Sequence, residues 1–351
     1  MTVSSPKGTT MALLNARGWR LAAVAGLALA LATGTAACSN GSKGDYDIAF
    51  LPKNLGNPYF EASDNAAKKA VKDFGGSFKE VGPSEATADG QVTYINTLTQ
   101  QSVGAIVLSA NDTNALCDAL HDARDAGIKV VTFDSDVDAK CRDVYVSASS
   151  PKLIARNQID LIAEATGGKG DIAILSATAN ATNQNAWIAD MKPYLKSKYP
   201  DMHLVDVVYG NDDDQTSYDK TEALLSKHPH LDGIVSPTTV GVAAAARYLS
   251  TSQFKGKVAL TGLGTPNDMR KYVKDGTVTS FALWNPKDLG VLASYAAKAL
   301  LDKDITGKNG DDFKAKGLST KATKFTVGPK GVITLGKPFV FDKKNIDDFD
   351  F

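Results

Sequence analysis

The chain has 351 residues, with 39 basic against 39 acidic side chains and 43% apolar residues. That length holds about two domains with sizeable cores. The balanced charge argues against a nucleic-acid partner, which takes a clustered basic surface.

Reading from the N-terminus, Arg17 and Arg20 precede an apolar run over residues 21–32. Small residues follow, Thr33-Gly34-Thr35-Ala36-Ala37, and then Cys38. A basic region, a short apolar core and small residues before a cleavage point mark a secretory signal. The run falls short of the roughly 20 apolar residues that span a bilayer. Residues 1–37 therefore read as a signal peptide, starting at Met1 or Met11. Cys38 after two alanines resembles a bacterial lipoprotein signal, with Thr35 where Leu is usual. This makes Cys38 the expected lipidation site and residues 38–44, small and polar, its tether. The expected location is outside the cell, lipid-anchored on the outer face of the cytoplasmic membrane. Without Lys7, Arg17 and Arg20 the basic count falls from 39 to 36 against 39 acids, so the mature chain carries about −3.

Export places Cys117 and Cys141 in an oxidising space, where a pair tends to be bridged. A loop of that size adds roughly 3 kcal/mol. The alternative is two buried free thiols. Two cysteines without paired histidines do not make a four-ligand zinc site, so no metal is expected.

From residue 46 on, β-branched runs alternate with helical patterns. Strands are predicted at 46–51, 78–81, 105–108 and 129–133, and helices at 58–74, 89–101 and 114–126. Phe60, Ala67 and Val71 share a face of the first helix. The pattern then restarts, with strands at 171–175, 204–208, 233–235 and 258–261. The helices between and after them fall at 183–199, 217–228, 240–250 and 266–274. Such alternation gives a parallel sheet covered by helices on both faces. The fold class is α/β, as two similar doubly wound lobes.

Ligands of such sheets bind at the carboxyl ends of the strands. Those ends offer Lys53 and Phe60, Asn111, Asp134 and Asp136, Asn183 and Gln184, Pro237 and Thr239, and Trp284. Amides and carboxylates can pair adjacent hydroxyls of a sugar. Aromatics such as Phe60 and Trp284 can cover its apolar face. Each polar residue has a structural alternative. Asp134, Asp136, Asn111 and Asn183 can cap helices, and Lys53 can be a surface lysine. Trp187 reads as core or rim. Asp212-Asp213-Asp214 lacks the ligand spacing of a calcium loop and reads as a solvated loop. His121, His203, His228 and His230 have no triad or metal spacing. Gly262-Leu263-Gly264 lacks the third glycine of a dinucleotide fingerprint. No enzyme and no cofactor is expected.

Several local motifs carry a resemblance: Pro52-Lys53, Gly90-Gln91, Asp134-Ser135, Asn183-Gln184-Asn185 with Trp187, and Trp284. Over residues 45–351 the chain resembles the periplasmic sugar-binding proteins of ABC transporters, of the ribose-binding type. It is most similar to the rhamnose-binding branch and, next, to receptors of the furanose-type autoinducer. Cys117 and Cys141 look like the cysteine pair of the autoinducer branch. That branch has Asp where this chain has Asn183, and Ala where it has Thr239. The stretches around Asn183, Pro237-Thr238-Thr239, Gly262 and Trp284-Asn285-Pro286 look like the rhamnose branch.

The resemblance implies a periplasmic binding protein type I fold with a three-segment hinge. Lobe one would be 45–147 with 288–318, and lobe two 151–284 with 324–351. Crossings are expected near 147–151, 285–288 and 318–323. It further implies a monomer that captures a monosaccharide, most simply L-rhamnose, and delivers it to a membrane permease and its ATPase. The alternatives are a furanose-type autoinducer receptor and a sugar-sensing adaptor.

Overall fold

The structure, a computed structural model, describes residues 46–351. The signal peptide, Cys38 and the tether lie outside the described residues.

The first half runs β1 (Asp47–Leu51), α1 (Pro58–Asp73), β2 (Ser77–Glu80), α2 (Ala88–Gln100), β3 (Ala105–Leu108), α3 (Cys117–Asp125), β4 (Lys129–Phe133) and β5 (Val144–Ser147). α1 starts where Asn57 accepts the amide of Tyr59 at 3.1 Å, with Pro58 at the first helical position. Proline is pre-set for that position because its missing N–H has no partner there anyway. The helix buries Phe60, Ala67 and Val71 together with Tyr59. β3 is buried along its whole length, as befits a parallel strand covered on both faces.

The second half runs α4 (Pro151–Thr166), β6 (Gly170–Ser176), α5 (Thr182–Lys198), β7 (Met202–Tyr209), α6 (Asp214–Lys227), β8 (Gly233–Ser236), α7 (Thr239–Thr251), β9 (Ala259–Gly262), α8 (Pro266–Lys274) and β10 (Ser280–Leu283). The tail adds α9 (Pro286–Leu301), β11 (Asp312–Lys314), β12 (Lys324–Thr326), β13 (Val332–Thr334) and β14 (Phe339–Asp342). β5, α4 and β10 are additions to the elements predicted above.

The strands form two sheets. The first is parallel, in the order β13-β5-β4-β3-β1-β2. The second is parallel, β7-β6-β8-β9. It continues through a bridge between Leu263 and Ala282 to β10, on which β14 pairs antiparallel. The chain thus folds as two α/β lobes. Helix α9 returns to the first lobe and packs on α1 and over β3, β4 and β5. A Cβ at Gly290 would stand 2.2 Å from the Ser63 carbonyl oxygen, so only glycine permits this close crossing.

The third crossing departs from expectation. β13 pairs with β5, and β12 forms a hairpin with β11 beside α9. Residues 324–334 therefore stay with the first lobe, and the chain passes to the second only between β13 and β14. Ser319 is instead held against the start of α9 by the Asp288 carboxylate, at 2.7 and 2.5 Å. The real crossing lies beside the first one: the amides of Leu335 and Gly336 bond to the carbonyls of Ser147 and Ala148. Cys117 and Cys141 form a disulfide that ties the start of α3 to the turn after β4.

Candidate functional site

The loops at the carboxyl ends of both sheets face each other and enclose a cleft. Lys53, Tyr59, Phe60 and Asp134 line it from the first lobe, and Asn183, Gln184, Trp187, Asp212, Pro237, Thr238 and Thr239 from the second. Trp284 closes it at the second crossing.

Asp134 is the polar centre of the first wall. Its carboxylate accepts Ser109 Oγ at 2.8 Å and the Tyr59 hydroxyl at 3.2 Å. Its backbone is left-handed, with φ 59°, which Asp tolerates better than most residues. The Tyr145 hydroxyl pins its carbonyl at 2.9 Å. Burial pushes the Asp134 carboxyl up from its ordinary value, while the Lys53 ammonium and the two hydroxyl donors oppose that shift. Donors on both oxygens fit the ionised, acceptor-only form. Tyr59 also accepts the Trp284 indole N–H at 2.8 Å. Burial, and then the Asp134 charge, push the Tyr59 phenol well up, so it stays a neutral donor.

Lys53 is buried and reaches across the cleft. Its ammonium donates to Asn183 Oδ1 at 2.9 Å and to Gln184 Oε1 at 3.4 Å. Asn183 Nδ2 in turn donates to Asp134 Oδ2 at 3.4 Å. Asn183 and Gln184 sit in the first turn of α5, and Thr239 opens α7. Ala181, before α5, brings no capping side chain, so this helix start faces the cleft with its amides uncapped by that position. Around the polar set stand Tyr59, Phe60, Trp187 and Trp284 in edge-to-face contacts, with ring centroids 5.1 to 6.2 Å apart. Free space inside is about 30 Å³, room for water but not for a sugar. The lobes must part to admit a ligand of that size.

Eight of the ten residues expected to touch ligand line the cleft. The other two do not. Asp136 is bound by Arg142 in a two-pronged pair, at 2.6 and 2.7 Å, and by the Thr132 hydroxyl at 2.5 Å. It anchors the loop below the cleft. Asn111 donates to the carbonyls of Lys53 and Thr87, at 2.8 and 3.2 Å, and so holds the Lys53 loop from behind. Tyr59, Asp212 and Thr238 were missed as lining residues, and Trp187 proves to belong to the wall. Tyr59 is adjacent to Phe60 at a helix start, a signal that was available. Asp212 hides in a run of three aspartates.

A larger groove, about 1090 Å³, lies over α1 and α9 on the first lobe. None of the expected ligand contacts lines it, and its charges pair locally as Lys69–Asp73 and Lys298–Asp302.

Residues 48–305 match the family model described as a periplasmic binding protein domain. The chain belongs to that family. Among solved structures it is 47% identical to a sugar ABC transporter protein from Actinomyces odontolyticus, over 87% of this chain and 98% of that one, with a TM-score of 0.69. It is 39% identical to a solute-binding protein from Clostridium phytofermentas with bound L-rhamnose, over 86% and 97%, with a TM-score of 0.83. It is 29% identical to LsrB from Clostridium saccharobutylicum in complex with AI-2, over 87% and 99%, with a TM-score of 0.80. This binding protein therefore has the type I fold of the family, and its relatives are sugar-binding proteins of ABC transport rather than enzymes. No described helix is long and apolar enough to cross a membrane.

Proposed function

We propose that this protein captures L-rhamnose by hinge closure and delivers it to a membrane permease and its ATPase. The reading rests on one observation: a polar bridge, Lys53 to Asn183 to Asp134, joins the two lobes inside an aromatic cleft. A pyranose presents hydroxyls in a fixed fan and apolar C–H faces. The bridge supplies acceptors and donors for the first, and Phe60 and Trp284 supply walls for the second. A hydroxyl pair inserted between Lys53 and Asn183 replaces their mutual bonds with bonds to ligand. The likeness to a rhamnose-bound protein supports the choice of sugar. Closure of two lobes about a hinge is an established mode for such clamps. The more identical neighbour superposes less well, 0.69 against 0.83. Rotation of one lobe against the other would give that order.

The ligand contacts we assign are Lys53, Phe60, Asp134, Asn183, Gln184, Pro237, Thr239 and Trp284. Cys38 is the proposed lipid anchor, which would hold the monomer at the outer face of the cytoplasmic membrane. Calorimetric titration of the purified mature chain with L-rhamnose tests the reading. Micromolar affinity, about −8 kcal/mol, is expected. Neither heat nor thermal shift at millimolar L-rhamnose sinks it. The AI-2-bound neighbour motivates the second reading, which binding of AI-2 without binding of rhamnose would establish.

A further inference from the structure

We propose that Asp212 makes the cleft a charge filter, which admits neutral sugars and turns away sugar acids and sugar phosphates. The proposal rests on the sugar-binding reading above and adds the ligand's charge class.

Three ionisable groups of opposite sign line the cleft: the ammonium of Lys53 and the carboxylates of Asp134 and Asp212. The cleft is therefore one negative charge out of balance. Lys53 already lies within the field of Asp134, which leaves Asp212 as the excess. Asp212 is 8% exposed. It is turned inward by left-handed backbone at two successive residues, Asn211 with φ 57° and Asp212 with φ 52°. Its Oδ1 accepts a short bond from the Thr238 hydroxyl. Thr238 precedes α7 but makes no side-chain cap bond to that helix. The threonine is spent on positioning the carboxylate.

Asp212 also borders a second groove between the lobes, of about 510 Å³. The other charged side chains of that groove are Glu85 and Asp213, and no basic side chain lines it. A ligand that comes through this groove passes three carboxylates before it meets Lys53. Charges at such range, with little water between them, interact far more strongly than in bulk solvent. A neutral polyol can give hydroxyls to both walls. A carboxylate or phosphate meets repulsion from both.

The test is calorimetry on the full mature chain with L-rhamnose and a panel of neutral monosaccharides, against D-galacturonate, D-glucuronate and L-rhamnonate. The wild type should bind a neutral sugar at least 100-fold more tightly than any acid. Asp212→Asn keeps an oxygen for Thr238 and removes the charge, and should narrow that gap at least tenfold. Asp213→Asn and Glu85→Gln, at the groove alone, should narrow it by less than threefold. Should Asp212→Asn lack a cooperative melt, Asp212→Ser carries the same comparison. A wild type that binds an acid within tenfold of its best neutral sugar overturns the proposal, and so does a gap that Asp212→Asn and Asp212→Ser leave unmoved. Silence toward every neutral sugar would instead break the sugar reading beneath it.

Discussion

The two walls of the cleft are built on opposite plans. The first-lobe wall is bonded to its own lobe. The Gln91 amide donates to the carbonyls of Pro52 and Ser109, at 3.0 and 2.7 Å, and accepts the Asn111 amide at 2.9 Å. Asn111 holds the Lys53 carbonyl, and Ser109, Tyr59 and Tyr145 hold Asp134. The second-lobe wall points away from itself. Asn183 and Gln184 direct their amides to Lys53 and Asp134 across the gap. The first wall is thus a pre-set scaffold, and the second offers contacts that can be exchanged for ligand. Damage to the first should cost structure as well as affinity. Changes in the second should retune affinity while the fold stays intact.

The largest effect is expected from Asp134→Ala. It leaves Lys53 without its buried carboxylate partner and strands the hydroxyls of Ser109 and Tyr59. Breaking a buried charge pair on one side costs about 3–5 kcal/mol, a loss of 100-fold or more in affinity, with a lower melting temperature. Titration and a thermal melt of the variant check both. Affinity within twofold of wild type would make Asp134 a structural residue and dissolve the contrast between the walls.

That same wall marks the limit of what the sequence discloses. The alternation of strands and helices, and the restart near residue 171, are legible because apolar periodicity repeats over many residues. β11, β12 and β13 span three residues each, too few for any period, so the third crossing is misplaced toward 318–323. Loop position after a strand finds Lys53, Asp134 and Asn183. It does not say which way a side chain turns. Asp134 and Asp136 are two residues apart, yet one faces the cleft and the other is taken by Arg142, whose side chain is almost fully buried. Asp212 is hidden for the same reason: left-handed backbone, invisible in a run of aspartates, turns it in.

A smaller effect, on stability alone, separates scaffold from site. Replacing Cys117 and Cys141 together by Ala removes a cross-link between residues 24 apart. Chain entropy alone puts the loss near 3 kcal/mol. The wall itself is held by Gln91 and Asn111, not by this bridge. The midpoint of denaturant unfolding should therefore fall while sugar affinity stays within twofold. A parallel drop in affinity would show that the bridge shapes the wall, and the first lobe would then be less self-sufficient than its hydrogen bonds suggest.

The smallest effect is expected on the second wall, from Asn183→Asp. The substitution keeps the shape and the oxygen that receives Lys53. It removes the donor that meets Asp134 at 3.4 Å and puts a carboxylate there instead. Lys53 then serves two carboxylates that repel one another. Like charges at that separation disfavour joint ionisation, so one of the pair should take up a proton near neutral pH. A ligand hydroxyl that had Asn183 as donor loses it. Together these should lower L-rhamnose affinity about tenfold, or about 1.4 kcal/mol. The melting temperature of the free protein should hardly move, because no bond inside either lobe is lost. The loss in affinity should also ease as pH falls and the extra carboxylate is neutralised. Unchanged rhamnose affinity at neutral pH would remove Asn183 from the recognition set. A large drop in stability would mean that the second wall is as much scaffold as the first.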